Sequence, residues 1–361
     1  MKEEFLNNKL NNMTLSEKIG QMIMIDYRNT LEMNTELENI LNKYNVGGFI
    51  LFKGNTANYE QTQKLLHSVK SVGDIPVITS VDQEGGMVQR LDKRVGFKEY
   101  PPMAEIGKTL DEGLAFEVGS SIGRELKDIG IDMDMAPVLD IHTNPNNRAI
   151  ASRAFGKDSE SVKKMASAYA EGLASEGIMA VGKHFPGHGD TIVDSHIDLP
   201  LVEKDLNELN NLELIPFKEA IKRNIPGLMV GHLAVPKVSG NMEPASLSKE
   251  IVSDLLRNSL NYDGLILTDS LKMKALTNFF TDEDIYLKTI GAGNDIILMP
   301  NDVNLAYNTV YRAVNEGSIS LDRINKSVYR ILNIKFDLGF FDKEFQDFIK
   351  NNDRKVHRNR R

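Results

Sequence analysis

Short apolar runs alternate with longer amphipathic stretches along most of the chain. Their apolar residues are nearly continuous, which is typical of parallel strands covered on both faces. Eight such runs are present, at residues 21–26, 46–52, 76–82, 132–140, 179–185, 227–233, 264–269 and 295–299. The pattern therefore predicts eight strands, each followed by a segment long enough for a helix.

The intervening segments show helical spacing. Phe116, Val118, Ile122 and Leu126 show helical periodicity, and Gly130 follows as a stop signal. Eight strand-then-helix units predict an α/β protein with a (β/α)8 TIM-type barrel in a single domain. An open doubly wound sheet is the alternative, but no glycine-rich phosphate fingerprint follows an early strand.

The predicted barrel covers residues 1–342, and its first main helix begins at the capping box Thr14-Leu15-Ser16-Glu17. Residues 343–361 are predicted to be a short polar and basic C-terminal tail. Its last part, residues 351–361, is interpreted as a solvated, frayed end, since chain termini are usually loose.

Composition narrows the function classes. The 361 residues are 41% hydrophobic and 26% charged, and the net charge is −8, so a chain-wide basic surface for nucleic acid is absent. There are no cysteines, which excludes disulfides and thiolate chemistry. No apolar run is long enough to span a bilayer. With a polar N-terminus, the simplest prediction is a cytoplasmic protein without nucleic-acid or membrane partners.

Polar residues concentrate where the predicted strands end, which is where such barrels place their active sites. Each one alone could be a helix cap. Their repetition at equivalent positions indicates a site instead. The residues concerned are Asp82, Glu84 and Arg90 after the third run, Asp140 and Arg153 after the fourth, Lys183 and His184 in the fifth, His232 in the sixth and Asp269 in the seventh.

The densest patch is Lys183-His184-Phe185-Pro186-Gly187-His188-Gly189-Asp190-Thr191, followed by Asp194-Ser195-His196. His184 and His188 have the spacing of a helical zinc pair, but Pro186 and Gly187 break a helix there. No metal ligand set and no cofactor are therefore predicted. A tight turn with satisfied histidines is a further alternative.

Acid–base catalysis fits this patch better than metal binding. Asp194 can orient the imidazole of His196, which is suited to proton transfer near neutral pH. Asp269, at a different strand end, is then free to act as a nucleophile. A carboxylate nucleophile with a separate acid/base is the arrangement of retaining glycoside hydrolysis, although the usual acid/base is a second carboxylate.

The patch resembles the signature of glycoside hydrolase family 3 β-N-acetylglucosaminidases, and the resemblance runs from about Leu15 to Gly339. Further matching motifs are Asp82-Gln83-Glu84-Gly85-Gly86, Ala136-Pro137-Val138-Leu139-Asp140, Arg153-Ala154-Phe155-Gly156 and Thr268-Asp269-Ser270-Leu271-Lys272-Met273. The chain departs from the family at residues 146–152, where relatives often carry Pro and Gly, and at Ser270, where many have a second Asp.

The resemblance implies a barrel, a covalent glycosyl-aspartate and no cofactor. It makes Asp269 the nucleophile, His196 the general acid/base and Asp194 its partner. It also implies that the N-acetylglucosamine ring is bound by Asp82, Arg90, Arg153, Lys183 and His184.

The expected activity is that of a retaining exo-β-N-acetylglucosaminidase that removes terminal N-acetylglucosamine from peptidoglycan-derived muropeptides in cell-wall recycling. The expected partner is this carbohydrate substrate, and a monomer is favoured. The alternatives are a β-glucosidase or β-xylosidase of the same family, an N-acetylglucosamine phosphorylase, and a catalytically inactive sugar-binding barrel.

Overall fold

A computed structural model describes the backbone of residues 1–358 and the side chains of residues 1–352. Its ten strands are β1 (Ile23–Ile25), β2 (Gly48–Leu51), β3 (Ile78–Val81), β4 (Gln83–Gly85), β5 (Val88–Gln89), β6 (Met133–Asp134), β7 (Met179–Phe185), β8 (Gly227–Val230), β9 (Leu265–Thr268) and β10 (Ile297–Leu298).

Eight of these strands form one parallel sheet in the order β10-β1-β2-β3-β6-β7-β8-β9. A parallel bridge between Leu267 and Ile296 joins its two ends, so the sheet curls into a barrel. Each predicted run contains one of these strands. The prediction of a (β/α)8 barrel is confirmed, and the doubly wound alternative is wrong because an open sheet has no such closing bridge.

The strands are shorter than the apolar runs that contain them, because the last residues of several runs leave the sheet. Asp82 and Asp269 directly follow β3 and β9, and Asp140 lies two residues after the isolated bridge between Val138 and Lys183. Their side chains therefore gather at the carboxyl-terminal end of the barrel instead of joining the ladder.

Helices surround the barrel. They are α1 (Lys2–Asn12), α2 (Leu15–Gln21), α3 (Thr35–Tyr44), α4 (Tyr59–Lys70), α5 (Met103–Thr109), α6 (Glu112–Ile129), α7 (Ser159–Ser175), α8 (Leu206–Asn211), α9 (Leu214–Lys222), α10 (Pro236–Ser239), a π-helix (Glu250–Ser259), α11 (Lys274–Thr277), α12 (Asp282–Ala292), α13 (Val303–Asn315), α14 (Leu321–Asp337) and α15 (Asp342–Arg358). Three 3₁₀ turns lie at Lys53–Asn55, Lys93–Val95 and Ala245–Leu247.

The capping box at Thr14 and the helix stop at Gly130 are confirmed, whereas Phe116 is exposed and lies off the buried face of α6. The Thr14 hydroxyl accepts the Glu17 N–H at 3.2 Å, and the Glu17 carboxylate accepts the Thr14 N–H at 2.7 Å, which completes the capping box. Gly130 ends α6 with a φ of +99°, a left-handed conformation that glycine adopts without strain.

A small antiparallel hairpin of β4 and β5 lies outside the barrel sheet and was not predicted. The Gln83 side-chain oxygen accepts the N–H groups of Arg90 and Leu91, each at 3.0 Å. These two hydrogen bonds fix the hairpin, and the hairpin places the charged residues Glu84 and Arg90 at the carboxyl-terminal end of the barrel.

Residues 343–358, most of the segment predicted as a polar and basic tail, form the greater part of α15. The rings of Phe345 and Phe348 contact Phe5 of α1 at centroid distances of 5.4 and 5.5 Å. The prediction of a tail was based on the polar and basic composition of the segment and gave no weight to these two phenylalanines. Residues 359–361 of the predicted tail lie outside the described residues. Among the helices described, none is both long and apolar enough to cross a membrane.

Candidate active site

A cavity of about 660 Å³ opens at the carboxyl-terminal end of the barrel. It is bounded by residues that directly follow barrel strands, as expected for this fold. Its polar and charged lining residues include Asp26, Arg28, Asp82, Arg90, His196, Asp269, Lys272 and Lys274.

A buried ion network closes one side of this cavity. The Lys183 ammonium, only 2% exposed, donates to the Asp82 carboxylate at 2.8 Å and lies 2.7 Å from a Glu84 oxygen. Arg153 makes a two-pronged contact with Glu84, at 2.8 Å for each nitrogen. Paired, hydrogen-bonded charges of this kind are held in fixed positions. Asp82 is the member of this network that lines the cavity, and the network fixes its carboxylate there.

Burial by itself would raise the pKa of the Glu84 carboxyl, but the charges of Arg153 and Lys183 lower this pKa to about 2. Burial likewise opposes ionisation of Asp82, and the neighbouring Lys183 and Arg90 bring its pKa below the usual range. Both carboxylates are thus ionised at neutral pH and accept hydrogen bonds only. Asp82, which lines the cavity, can accept from sugar hydroxyls.

His184 is oriented by Asp140. Its Nδ1 lies 2.7 Å from an Asp140 carboxylate oxygen, and its Nε2 lies 3.4 Å from an Arg153 nitrogen. Because a guanidinium can only donate, Nδ1 carries the proton that Asp140 accepts. The five residues that the resemblance assigns to sugar binding therefore lie in one connected group with Glu84 and Asp140.

Asp269 follows β9 and is held by the backbone. Its N–H donates to the Val230 carbonyl at 2.9 Å, and its carboxylate accepts the Ser270 N–H at 2.7 Å. Burial would raise the pKa of Asp269, but His184, His232 and the Ser270 N–H lower this pKa below the ordinary value. An ionised carboxylate with a free oxygen at the cavity wall is suited to nucleophilic attack.

His196 lines the same cavity as Asp269. Its Nδ1 lies 2.9 Å from an Asp194 oxygen, which also accepts the His196 backbone N–H at 2.9 Å. The His196 side chain is 71% exposed. This dyad can hold a proton at a histidine nitrogen and give it to a group in the cavity.

Residues 146–152, where this sequence differs from related sequences, are held in place by hydrogen bonds of Asn147. The buried Asn147 side chain accepts the Ile150 N–H at 3.1 Å and donates to the His188 carbonyl at 2.7 Å. This asparagine shapes the loop that leads to Arg153. The contact of Arg153 with Glu84 is therefore made without the Pro and Gly of related sequences.

The ring nitrogens of His184 and His188 each contact a different protein group, whereas the ligands of one metal ion would converge on a common point. His188 contacts the hydroxyls of Thr191 at 2.7 Å and Ser195 at 3.3 Å. In the part of the chain that the structure describes, no group of three or more His, Asp or Glu residues is arranged to hold a metal ion. The absence of a metal requirement stays a prediction.

Exhaustive chelation is expected to leave turnover within about twofold of the untreated protein, since the loop histidines are occupied by hydroxyl and carboxylate groups. The measurement is the hydrolysis rate before and after dialysis against EDTA and 1,10-phenanthroline. Loss of activity that zinc restores would contradict this expectation.

Sequence reasoning did not assign roles to several residues of the site. Glu84 and Asp140 were noted at strand ends, but their roles as charge partners follow only from contacts with distant residues. Asp26, Arg28 and Lys272 were not singled out. The signal for Asp26 was available, because it ends the first apolar run just as Asp82 ends the third.

Comparisons with known proteins define the class. The sequence profile described as "Glycosyl hydrolase family 3 N terminal domain" matches residues 14–334. The chain belongs to glycoside hydrolase family 3, which confirms the resemblance read from its motifs.

Individual relatives of known name are also similar to this chain over most of its length. "Beta-hexosaminidase A" of Pseudoalteromonas piscicida is 32% identical over 90% of this chain and 62% of its own length. "Beta-hexosaminidase LpqI" of Mycobacterium tuberculosis is 33% identical over 88% of this chain and 82% of its own. A family 3 β-N-acetylglucosaminidase structure from Paenibacillus sp. has a TM-score of 0.88 and 37% identity, covering 91% of this chain and 63% of that one. The chain thus spans under two thirds of two of these relatives.

Proposed function

We propose that this protein is a retaining exo-β-N-acetylglucosaminidase acting on muropeptides of cell-wall recycling. One observation carries the proposal: the Asp269 carboxylate and His196, whose ring contacts Asp194, line one cavity. A nucleophile and a separate acid/base are what retaining hydrolysis needs. The β-hexosaminidase names of the relatives and the structural neighbour support N-acetylglucosamine as the sugar.

The proposed reaction has two steps. In the first, an Asp269 oxygen attacks the anomeric carbon, the bond to the leaving oxygen breaks, and His196 gives that oxygen a proton. In the second, His196 takes a proton from water as the water oxygen attacks the same carbon and releases the aspartate. Asp194 stabilises the charged imidazole before the first transfer and after the second, and His196 is neutral between them. Asp82, Arg90, Arg153, Lys183 and His184 hold the sugar ring.

The charged side chains at the mouth of the cavity favour a leaving group that carries a negative charge. Asp26 is nearly buried and accepts from Lys272 at 2.6 Å and from Arg28 at 2.9 Å, so one carboxylate faces two cations. Lys274 adds a further cation to the lining. This surplus positive charge, in a chain of net charge −8, favours an aglycone that carries a carboxylate, as muramic acid does.

Arg28→Gln is expected to lower kcat/KM for N-acetylglucosaminyl-β-1,4-N-acetylmuramic acid about fivefold relative to N,N′-diacetylchitobiose, since a partly exposed ion pair contributes roughly 1 kcal/mol. The two disaccharides differ in the carboxylate-bearing ether. Arg312→Gln is the matched control, because Arg312 is similarly exposed and also pairs with one carboxylate, Glu283. Equal losses on both disaccharides would contradict an acidic aglycone.

The sugar and the acceptor are tested with aryl glycosides. Turnover of 4-nitrophenyl β-N-acetylglucosaminide well above that of the β-glucoside is expected. A higher rate on the β-glucoside would favour the β-glucosidase alternative. Phosphate-dependent release of a sugar 1-phosphate would favour the phosphorylase, and no turnover of any glycoside would favour the inactive sugar-binding barrel. The cytoplasmic location and the monomeric state stay predictions for fractionation and sedimentation experiments.

A further inference from the structure

His188 is a buried histidine that the proposed reaction does not use. It is 4% exposed and its ring contacts two hydroxyls of the loop that follows it. The Thr191 hydroxyl donates to the His188 carbonyl at 3.0 Å, so it can only accept from the ring nitrogen Nδ1. The proton is therefore on Nδ1, and Nε2 accepts from the Ser195 hydroxyl at 3.3 Å.

The backbone of His188 is fixed to the sugar-binding group. Its N–H donates to Asp140 at 2.7 Å, and its carbonyl accepts from the Asn147 side chain at 2.7 Å. The other oxygen of Asp140 contacts the ring of His184 at 2.7 Å. His188 is consequently a fixed point next to the residues that hold the sugar.

Ser195 is the residue between the two members of the catalytic dyad. It is 3% exposed, whereas the side chains of Asp194 and His196 are 38% and 71% exposed. The Ser195 carbonyl also accepts the N–H of Ala275 at 3.2 Å, and Ala275 belongs to the segment that follows Asp269. One buried serine thus ties the dyad both to His188 and to the segment after the nucleophile.

We infer that His188 is a positioning residue: through its hydrogen bond to Ser195 it fixes the loop that places His196 and Asp194 at the cavity. The inference rests on the proposed function of the dyad as acid/base, and it concerns the placement of the dyad. Without this link, the exposed imidazole is free to occupy positions from which it cannot reach the leaving oxygen. The cleavage rate is then expected to fall mainly for substrates whose leaving group must be protonated.

The test compares kcat/KM for 2,4-dinitrophenyl and phenyl β-N-acetylglucosaminides, because only the phenolate is a poor leaving group. Ser195→Ala is expected to raise the ratio of the first to the second about tenfold, since misplacing a catalytic group slows mainly the step that it serves. His188→Ala is expected to do the same. The double variant is expected to match either single one, because both remove the same link.

Ser239→Ala is the matched control. It removes another buried serine hydroxyl, one that donates to the Val235 carbonyl at 3.1 Å and does not line the cavity, so the ratio is expected to stay unchanged. Ser195→Thr, which keeps the hydroxyl, is expected to restore most of the wild-type ratio. Thermal unfolding identifies any variant that has lost its fold.

The outcomes separate the two proposals. Wild-type protein that cleaves neither glycoside would overturn the proposed function. Active wild type with an unchanged ratio in Ser195→Ala, or with effects of the two single changes that multiply in the double variant, would overturn the role of His188 while leaving the dyad in place.

Discussion

Asp269→Asn is expected to lower kcat for aryl β-N-acetylglucosaminides by about a thousandfold or more, because an amide cannot form the glycosyl ester and the covalent route is lost. Asp269 is partly buried, ionised and positioned by backbone N–H and C=O groups, so an isosteric change leaves its surroundings intact. Initial rates and a thermal unfolding curve measure the two effects separately.

Asp263→Asn is the control for this change. Asp263 precedes the same strand, β9, at its opposite end, and its side chain is 91% exposed. Its replacement is expected to leave turnover unchanged. A 2-fluoro or 5-fluoro sugar with a good leaving group is expected to label Asp269 in the wild type. Near-normal hydrolysis by Asp269→Asn, or labelling at another carboxylate, would remove Asp269 from the role.

His196→Ala is expected to slow cleavage of phenyl β-N-acetylglucosaminide about a hundredfold or more, and cleavage of the 2,4-dinitrophenyl glycoside less than tenfold. General acid catalysis contributes about 10² to 10⁴ only where the leaving group needs a proton. Asp194→Ala is expected to follow the same pattern more weakly, because its carboxylate acts through the His196 ring at 2.9 Å.

His67→Ala is the control, since His67 is an exposed histidine on α4, outside the cavity. The leaving-group series is measured as kcat/KM against leaving-group pKa for the wild type and each variant. A slope that stays constant, with all glycosides slowed equally, would make His196 a binding or structural residue.

Local chemistry explains which parts of the fold were predictable. The apolar runs located all eight barrel strands, because strands covered on both faces carry continuous apolar sequence. The β4–β5 hairpin was missed, since its three- and two-residue strands are too short for a periodic signal. The helix at the C-terminus was missed because a basic composition outweighed the apolar Phe345 and Phe348 in the prediction.

The sequence by itself determined where chemistry could lie: Asp82 and Asp269 end apolar runs, Lys183 lies near the end of another, and strand ends of one parallel barrel meet at one face. It also determined the helix caps, which depend on residues three or four apart.

Only the tertiary structure decided which of these charges pair. Lys183 meets Asp82 across 101 positions of the chain, and Arg153 meets Glu84 across 69. Local patterns carry no information about such pairings, because they depend on barrel closure and on the paths of irregular loops. The same holds for Ser195, whose buried contact with His188 is set by a turn that no periodicity describes.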